Sequence, residues 1–387
     1  MVSPSLAQLQ ARFAACQDRR AAVWDALWAR QAIGRLAVAV TPSEERVAQA
    51  RAACAGLELR DPSPLPAHWT PRWREYLVRD LVQAWAQTAV PGDAFVGLPV
   101  ERSIHGQSQG FADLFGARVE ALPDGNFFVH PLPPDPVAIA AIQPRPLEVS
   151  MYWAAVEYVR YARAAAAGCL PARAPVMTGP LDTANYLLGS TVLLEWVYTE
   201  PKALKALLAT LTDAIVRMLQ ALREAGGGRL DPQLVWCMRG GPDLCSELRA
   251  IISADIYEEF EAPCLREIGR RFGPLAIHSC GSWERTVPSV CADPGLRALN
   301  GGSREVDVAE LCRLANGRLT LSIYRSQNCH ERCLWPDNEA FWSHILGTVP
   351  LSQPFEVTVP EQEIPAWNRL CERYGRPESR LPANGGQ

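Results

Sequence analysis

Eight short apolar runs, at residues 36–40, 94–99, 174–178, 234–238, 275–278, 296–300, 319–324 and 355–359, recur along this 387-residue chain. Each is bounded by Pro, Gly or Asn and reads as a buried strand. Helical patterns separate most of them. The clearest covers residues 202–225, where Leu204, Leu207, Leu208, Leu211, Ile215, Met218, Leu219 and Leu222 share one face. Pro201 suits its first turn, and Gly226-Gly227-Gly228 ends it. A second helix is expected over about residues 255–271, kinked or restarted at Pro263. Strands and helices alternating in this number predict an α/β fold, a (β/α)8 TIM barrel, whose chemistry sits at the C-terminal ends of the strands.

The expected organisation is an N-terminal helical extension over residues 1–30, the barrel over 31–375, and a disordered tail over 376–387. The Pro-rich stretch 122–146 reads as an addition that covers the barrel. Charge excludes some partners: 38 basic and 42 acidic residues are intermixed, leaving no basic stripe for nucleic acid and no polybasic end for a membrane surface. Met1-Val2-Ser3-Pro4-Ser5 lacks a charged and then apolar leader, and no apolar stretch approaches the roughly 18 residues of a membrane span. A cytoplasmic location is therefore expected. Twelve cysteines without a regular framework point to reduced thiols, with Cys264, Cys291 and Cys312 packing inside helices.

The chemistry concentrates in His278-Ser279-Cys280-Gly281, at the end of the fifth run. In a strand, positions two apart share a face, so the imidazole and thiol project together, and Gly281 lets the chain turn closely away. Nitrogen and thiolate donors suit Zn2+, which needs one or two further protein ligands if a position is to stay open for chemistry. The competing reading is a core histidine beside an inert thiol.

Thr178-Gly179-Pro180-Leu181-Asp182-Thr183-Ala184, the segment Ile252-Ser253-Ala254-Asp255-Ile256-Tyr257-Glu258-Glu259-Phe260, and above all Ile277-His278-Ser279-Cys280-Gly281 resemble the uroporphyrinogen decarboxylase superfamily over about residues 20–370. The H-x-C-G element is similar to that of its cobalamin-dependent methyltransferases, those acting on coenzyme M or in O-demethylation. The decarboxylases carry an arginine-rich element just after the first strand; here Arg30-Gln31-Ala32-Ile33-Gly34-Arg35 precedes it. The resemblance implies zinc on His278 and Cys280, a small methyl donor, and a corrinoid carried by a partner protein, since no Asp-x-His-x-x-Gly element is visible. Zinc could activate a thiol acceptor or polarise a methoxy oxygen. A homodimer is expected by the same analogy.

Thiol-activating relatives place another cysteine near the end of the last strand, where this chain has Val359-Pro360-Glu361-Gln362-Glu363. Cys329 is the expected third ligand, with Cys333 and Glu361 as alternatives, and the missing cysteine favours a methoxy donor. A tetrapyrrole decarboxylase and a non-catalytic binder of a corrinoid partner remain rival readings. His105 and Asp182 are the expected catalytic pair, and Arg239, Asn300 and Tyr324 the expected substrate contacts, because each lies at or just beyond the end of a predicted strand. Trp24, Trp28, Trp69, Trp73 and Trp85 either pack the added helices or form an aromatic cover over the mouth.

Overall fold

The computed structural model describes residues 4–303, 306–326 and 334–382. Its main sheet is parallel and six-stranded: β1 Ala37–Thr41, β4 Asp243–Cys245, β5 Leu275–Ser279, β6 Leu296–Gly302, β7 Thr320–Tyr324 and β8 Phe355–Pro360, in the order β1-β8-β7-β6-β5-β4. β2 Arg118–Ala121 and β3 Phe127–His130 form a separate antiparallel hairpin. Two irregular stretches close the barrel between β4 and β1. Thr178 bridges Cys245, Leu98 bridges Ala172, and the Asp93 N–H donates to the Val38 carbonyl. The expected TIM barrel is thus present, with the second and third positions held by isolated bridges instead of full ladders.

Burial alternates along these strands. Val38, Val40, Ile277, Leu299, Leu321 and Val357 pack outward into the main core, whereas Ala37, Ala39, Ala276 and Ala298 belong to a second, smaller core. Into the latter go Val235, Cys237 and Met238. Residues 234–238, expected as the fourth strand, therefore fill the interior, and the fourth strand is Asp243–Cys245. Small inward side chains make this possible: alanine leaves the volume that Val, Ile and Leu take up in an ordinary barrel. The backbone N–H groups of Trp236 and Cys237 are satisfied by the Glu356 carboxylate, at 2.8 and 2.7 Å.

The N-terminal helix, Leu6–Trp28, starts with a Ser5 capping box and lies across the N-terminal end of the barrel. There Trp24 and Leu27 join the small core, and the Thr320 hydroxyl donates to the Leu27 carbonyl. Trp24 and Trp28 thus pack at the end opposite the mouth, and Trp73 meets Tyr158 and Tyr161 edge-on, so packing accounts for them. Helix Pro201–Ala225 matches its predicted span. The helix expected over 255–271 is restarted: a π-helical turn at Tyr257–Glu261 precedes Ala262–Phe272, which takes Pro263 in its first turn, where a missing N–H costs nothing. Residues 376–382, expected within the tail, instead pack down. Ser379 accepts from the Leu36 N–H and the Trp367 indole, and Leu381 is buried. Among the described residues no helix is long and apolar enough to cross a membrane.

Candidate metal centre

β5 delivers His278 and Cys280 to the C-terminal end of the barrel, as the spacing predicts. A third donor comes from the turn after β4, Glu247–Ala250. The ligand atoms of Glu247, His278 and Cys280 all lie within 4.8 Å of one another. His278 Nε2 is 3.2 Å from Cys280 Sγ and 3.4 Å from Glu247 Oε1. A tetrahedral zinc with bonds of about 2.0–2.3 Å sets its ligands roughly 3.3–3.8 Å apart, so these donors fit such an ion in type, and the two distances from Nε2 come close to its spacing. Glu247 Oε2 also accepts the Cys280 N–H at 2.6 Å, tying the two loops together.

Neighbouring side chains hold each donor. Asp182, buried at the start of helix Pro180–Leu188, accepts the N–H groups of Glu247 and Leu248 at 2.6 and 3.0 Å. Burial, and then the nearby Glu261 carboxylate, push Asp182 up to about 8. Glu261, on the π-helical turn, accepts from the Ser246 hydroxyl. His278 Nδ1 meets Asn300 Oδ1 at 2.6 Å, and Tyr324 stacks on the imidazole with an interplanar angle of 11°. At Gly281 an added Cβ would lie 2.3 Å from the Ala250 Cβ, so the loop carrying Cys280 can approach the Glu247 turn only because residue 281 has no side chain.

A cavity of about 640 Å3 opens beside the donors, lined by His278, Asn300 and Tyr324 together with Pro42, Phe95, Val96, Leu234 and Trp236. Its polar side chains include Asp80, Gln83, Gln87 and Arg173. Arg173 is buried and donates to the carbonyls of Gln233 and Phe95.

Of the expected site residues, the structure brings together His278, Cys280, Asp182, Asn300 and Tyr324. Cys329, with Cys333, lies outside the described residues. His105 is elsewhere: fully buried against Tyr152, its Nδ1 is 3.2 Å from the Gln107 carbonyl and its Nε2 has no partner, so it does not touch Asp182. Arg239 is at the opposite end of the barrel, paired with Asp25 of the N-terminal helix, because the run it follows is the interior segment and not a barrel strand. Glu361 is engaged by Arg46 and Ser43. Arg35 makes a two-pronged pair with Asp93 at the base of β1, away from the mouth. Glu247 escaped the sequence reading because the fourth strand was placed nine residues early; a carboxylate two residues beyond Asp243-Leu244-Cys245 is the signal that a correct register exposes.

Residues 111–317, more than half of the chain, match the family described as uroporphyrinogen decarboxylase (URO-D). A methylated-thiol–coenzyme M methyltransferase of Methanosarcina mazei is 27% identical over 117 residues, 30% of this chain and 29% of that relative. The chain thus matches under a third of that relative's length. A solved structure of a methyltransferase from Methanosarcina mazei superposes over 92% of this chain and 98% of its own, with a TM-score of 0.60 at 13% identity, a likeness of fold.

Proposed function

The chain belongs to the uroporphyrinogen decarboxylase family, and from that premise we propose that it is a zinc-assisted methyltransferase, moving a methyl group between a small methylated donor and the cobalt of a corrinoid protein. One observation carries this reading: a carboxylate, an imidazole and a thiol converge at the C-terminal end of the barrel beside a cavity sized for a small molecule. Zinc held by Glu247, His278 and Cys280 would supply Lewis acidity to the oxygen or sulfur that carries the methyl group. The corrinoid is assigned to a partner protein.

The chain's own residues do the rest. Phe95, Trp236 and Pro42 offer apolar faces that receive a donor and exclude water, while Gln83 offers an amide to orient it. The Tyr324 ring lies nearly parallel to the imidazole, with centroids 6.4 Å apart. A methoxy compound is the donor favoured by the absence of a cysteine at the end of β8, where the chain reads Val359-Pro360-Glu361-Gln362-Glu363. The partial likeness to an enzyme named for methylated thiols favours a second reading, a methylated thiol. Tetrapyrrole decarboxylation is disfavoured because, among the described residues, Arg173 is the one guanidinium lining the cavity, and it is already bonded to carbonyls. A binding role without catalysis predicts complex formation and no turnover.

The test is methylation of cobalt(I) cobalamin, followed by its absorbance, with methoxylated and methylthio donors. Turnover by the wild type that falls at least about 100-fold in Cys280→Ser and Glu247→Gln supports the reading. Turnover that survives both substitutions contradicts it.

A further inference from the structure

We infer that Asn300 is a positioning residue for the metal centre, held in one orientation so that His278 presents Nε2 to the ion; the inference rests on the metal reading above. Strand register sets the stage. His278 pairs with Asn300, Asn300 with Ser322, and Ser322 with Glu356, so one level of the barrel interior carries all four side chains. Each is buried, with relative exposure of 8% for His278 and 2% for the other three, so water does not stand in for a lost partner.

The direction of each hydrogen bond follows from donors and acceptors. Asn300 Nδ2 lies 3.1 Å from the Ser322 carbonyl and 2.7 Å from its hydroxyl. A carbonyl only accepts, so the amide nitrogen must face it, and the amide oxygen is left facing His278. That oxygen only accepts, so the proton of the neutral imidazole sits on Nδ1. Nε2 then carries the lone pair, toward Cys280 and Glu247. The Ser322 hydroxyl donates in turn to Glu356, whose carboxylate is pinned by the N–H groups of Trp236 and Cys237. The interior segment thereby anchors a chain of bonds that ends at the metal centre. Both ends of the Asn300 amide are consumed, which removes it from the substrate contacts despite its place in the cavity wall.

Partners of this kind fix the tautomer of a ligating histidine and typically change metal affinity by about 10–100-fold. The tautomer is read by 15N NMR of the metal-free protein, and zinc affinity by competition with a chromophoric chelator. The expected result is an Nδ1–H tautomer for His278 in the wild type and in Asn300→Asp, which keeps an oxygen facing the ring. Asn300→Leu gives a mixed tautomer and an affinity about 10–100-fold weaker, and Ser322→Ala gives a smaller loss. An Nε2–H tautomer in the wild type overturns the inference without any variant having to fold, as does unchanged zinc affinity in Asn300→Leu. Wild type that binds no zinc overturns the metal reading instead, and the tautomer of the metal-free protein still decides the role of Asn300.

Discussion

The Asp182 carboxylate accepts the backbone N–H of Glu247 at 2.6 Å, and so a buried acid on one helix fixes the turn that carries the third donor of the metal centre. With Leu248 the carboxylate satisfies two N–H groups at the start of that turn, the role a capping residue plays at a helix start. Asp182 thus acts on the site through Glu247.

Asp182→Asn is predicted to keep the shape and lose half of this arrangement, because an amide offers one acceptor and turns its NH2 toward the other N–H. The expected cost is about 1–3 kcal/mol in stability. Zinc affinity should fall about 10–100-fold, as for other groups that orient a ligand. Urea unfolding and chelator competition measure the two effects separately; full affinity in the variant would detach Asp182 from the site.

Gly281→Ala removes no ligand, yet it should weaken metal binding at least about tenfold. The new Cβ would sit 2.3 Å from the Ala250 Cβ and push the Cys280 loop away from the Glu247 turn. Adding Ala250→Gly should restore most of the loss. A Gly281→Ala protein with wild-type affinity would show that the loop spacing is not what assembles the donors.

Arg239→Ala is predicted to leave methyl transfer unchanged, since its partner Asp25 belongs to the helix at the other end of the barrel. Both side chains reach solvent, at 28% and 58% exposure, which limits the stability loss to about 1 kcal/mol. A rise in KM for the methyl donor would return Arg239 to the substrate site.

His105 predicts a pH dependence of stability. Burial lowers its pKa from 6.5 to about 4, so the folded chain keeps the ring neutral while the unfolded chain binds a proton below 6.5. The unfolded state then holds more protons, and stability that is complete above pH 6.5 is lost as pH falls toward 4, by roughly 3 kcal/mol for this group. In His105→Phe that part of the acid limb should disappear from unfolding curves taken between pH 4 and 7. An unaltered acid limb would assign the loss to other groups.

Much of the barrel was legible because β1 and β5 to β8 are apolar runs whose ends are punctuated by Pro, Gly or Asn. The register around the barrel was not. Val235, Cys237 and Met238 are buried among interior alanines, Trp24, Leu27 and Phe95, and such a segment has the same hydrophobic signature as a strand buried on both faces. The true fourth strand, Asp243–Cys245, is three residues long and opens with an acid, so composition does not mark it. That one displacement sent Arg239 to the wrong end and hid Glu247. His278 and Cys280 were legible because the period of two in a strand is local. The partnership of Asn300 with His278 was not, since it depends on the register between neighbouring strands.

Metal content of the anaerobically purified protein tests the central claim most directly. Wild type, His278→Ala, Cys280→Ser and Glu247→Gln are compared by elemental analysis at equal folded concentration. The account predicts close to one zinc per wild-type chain and a substoichiometric content in each variant. A wild type that stays metal-free after incubation with zinc, or full zinc retained in all three variants, would contradict it.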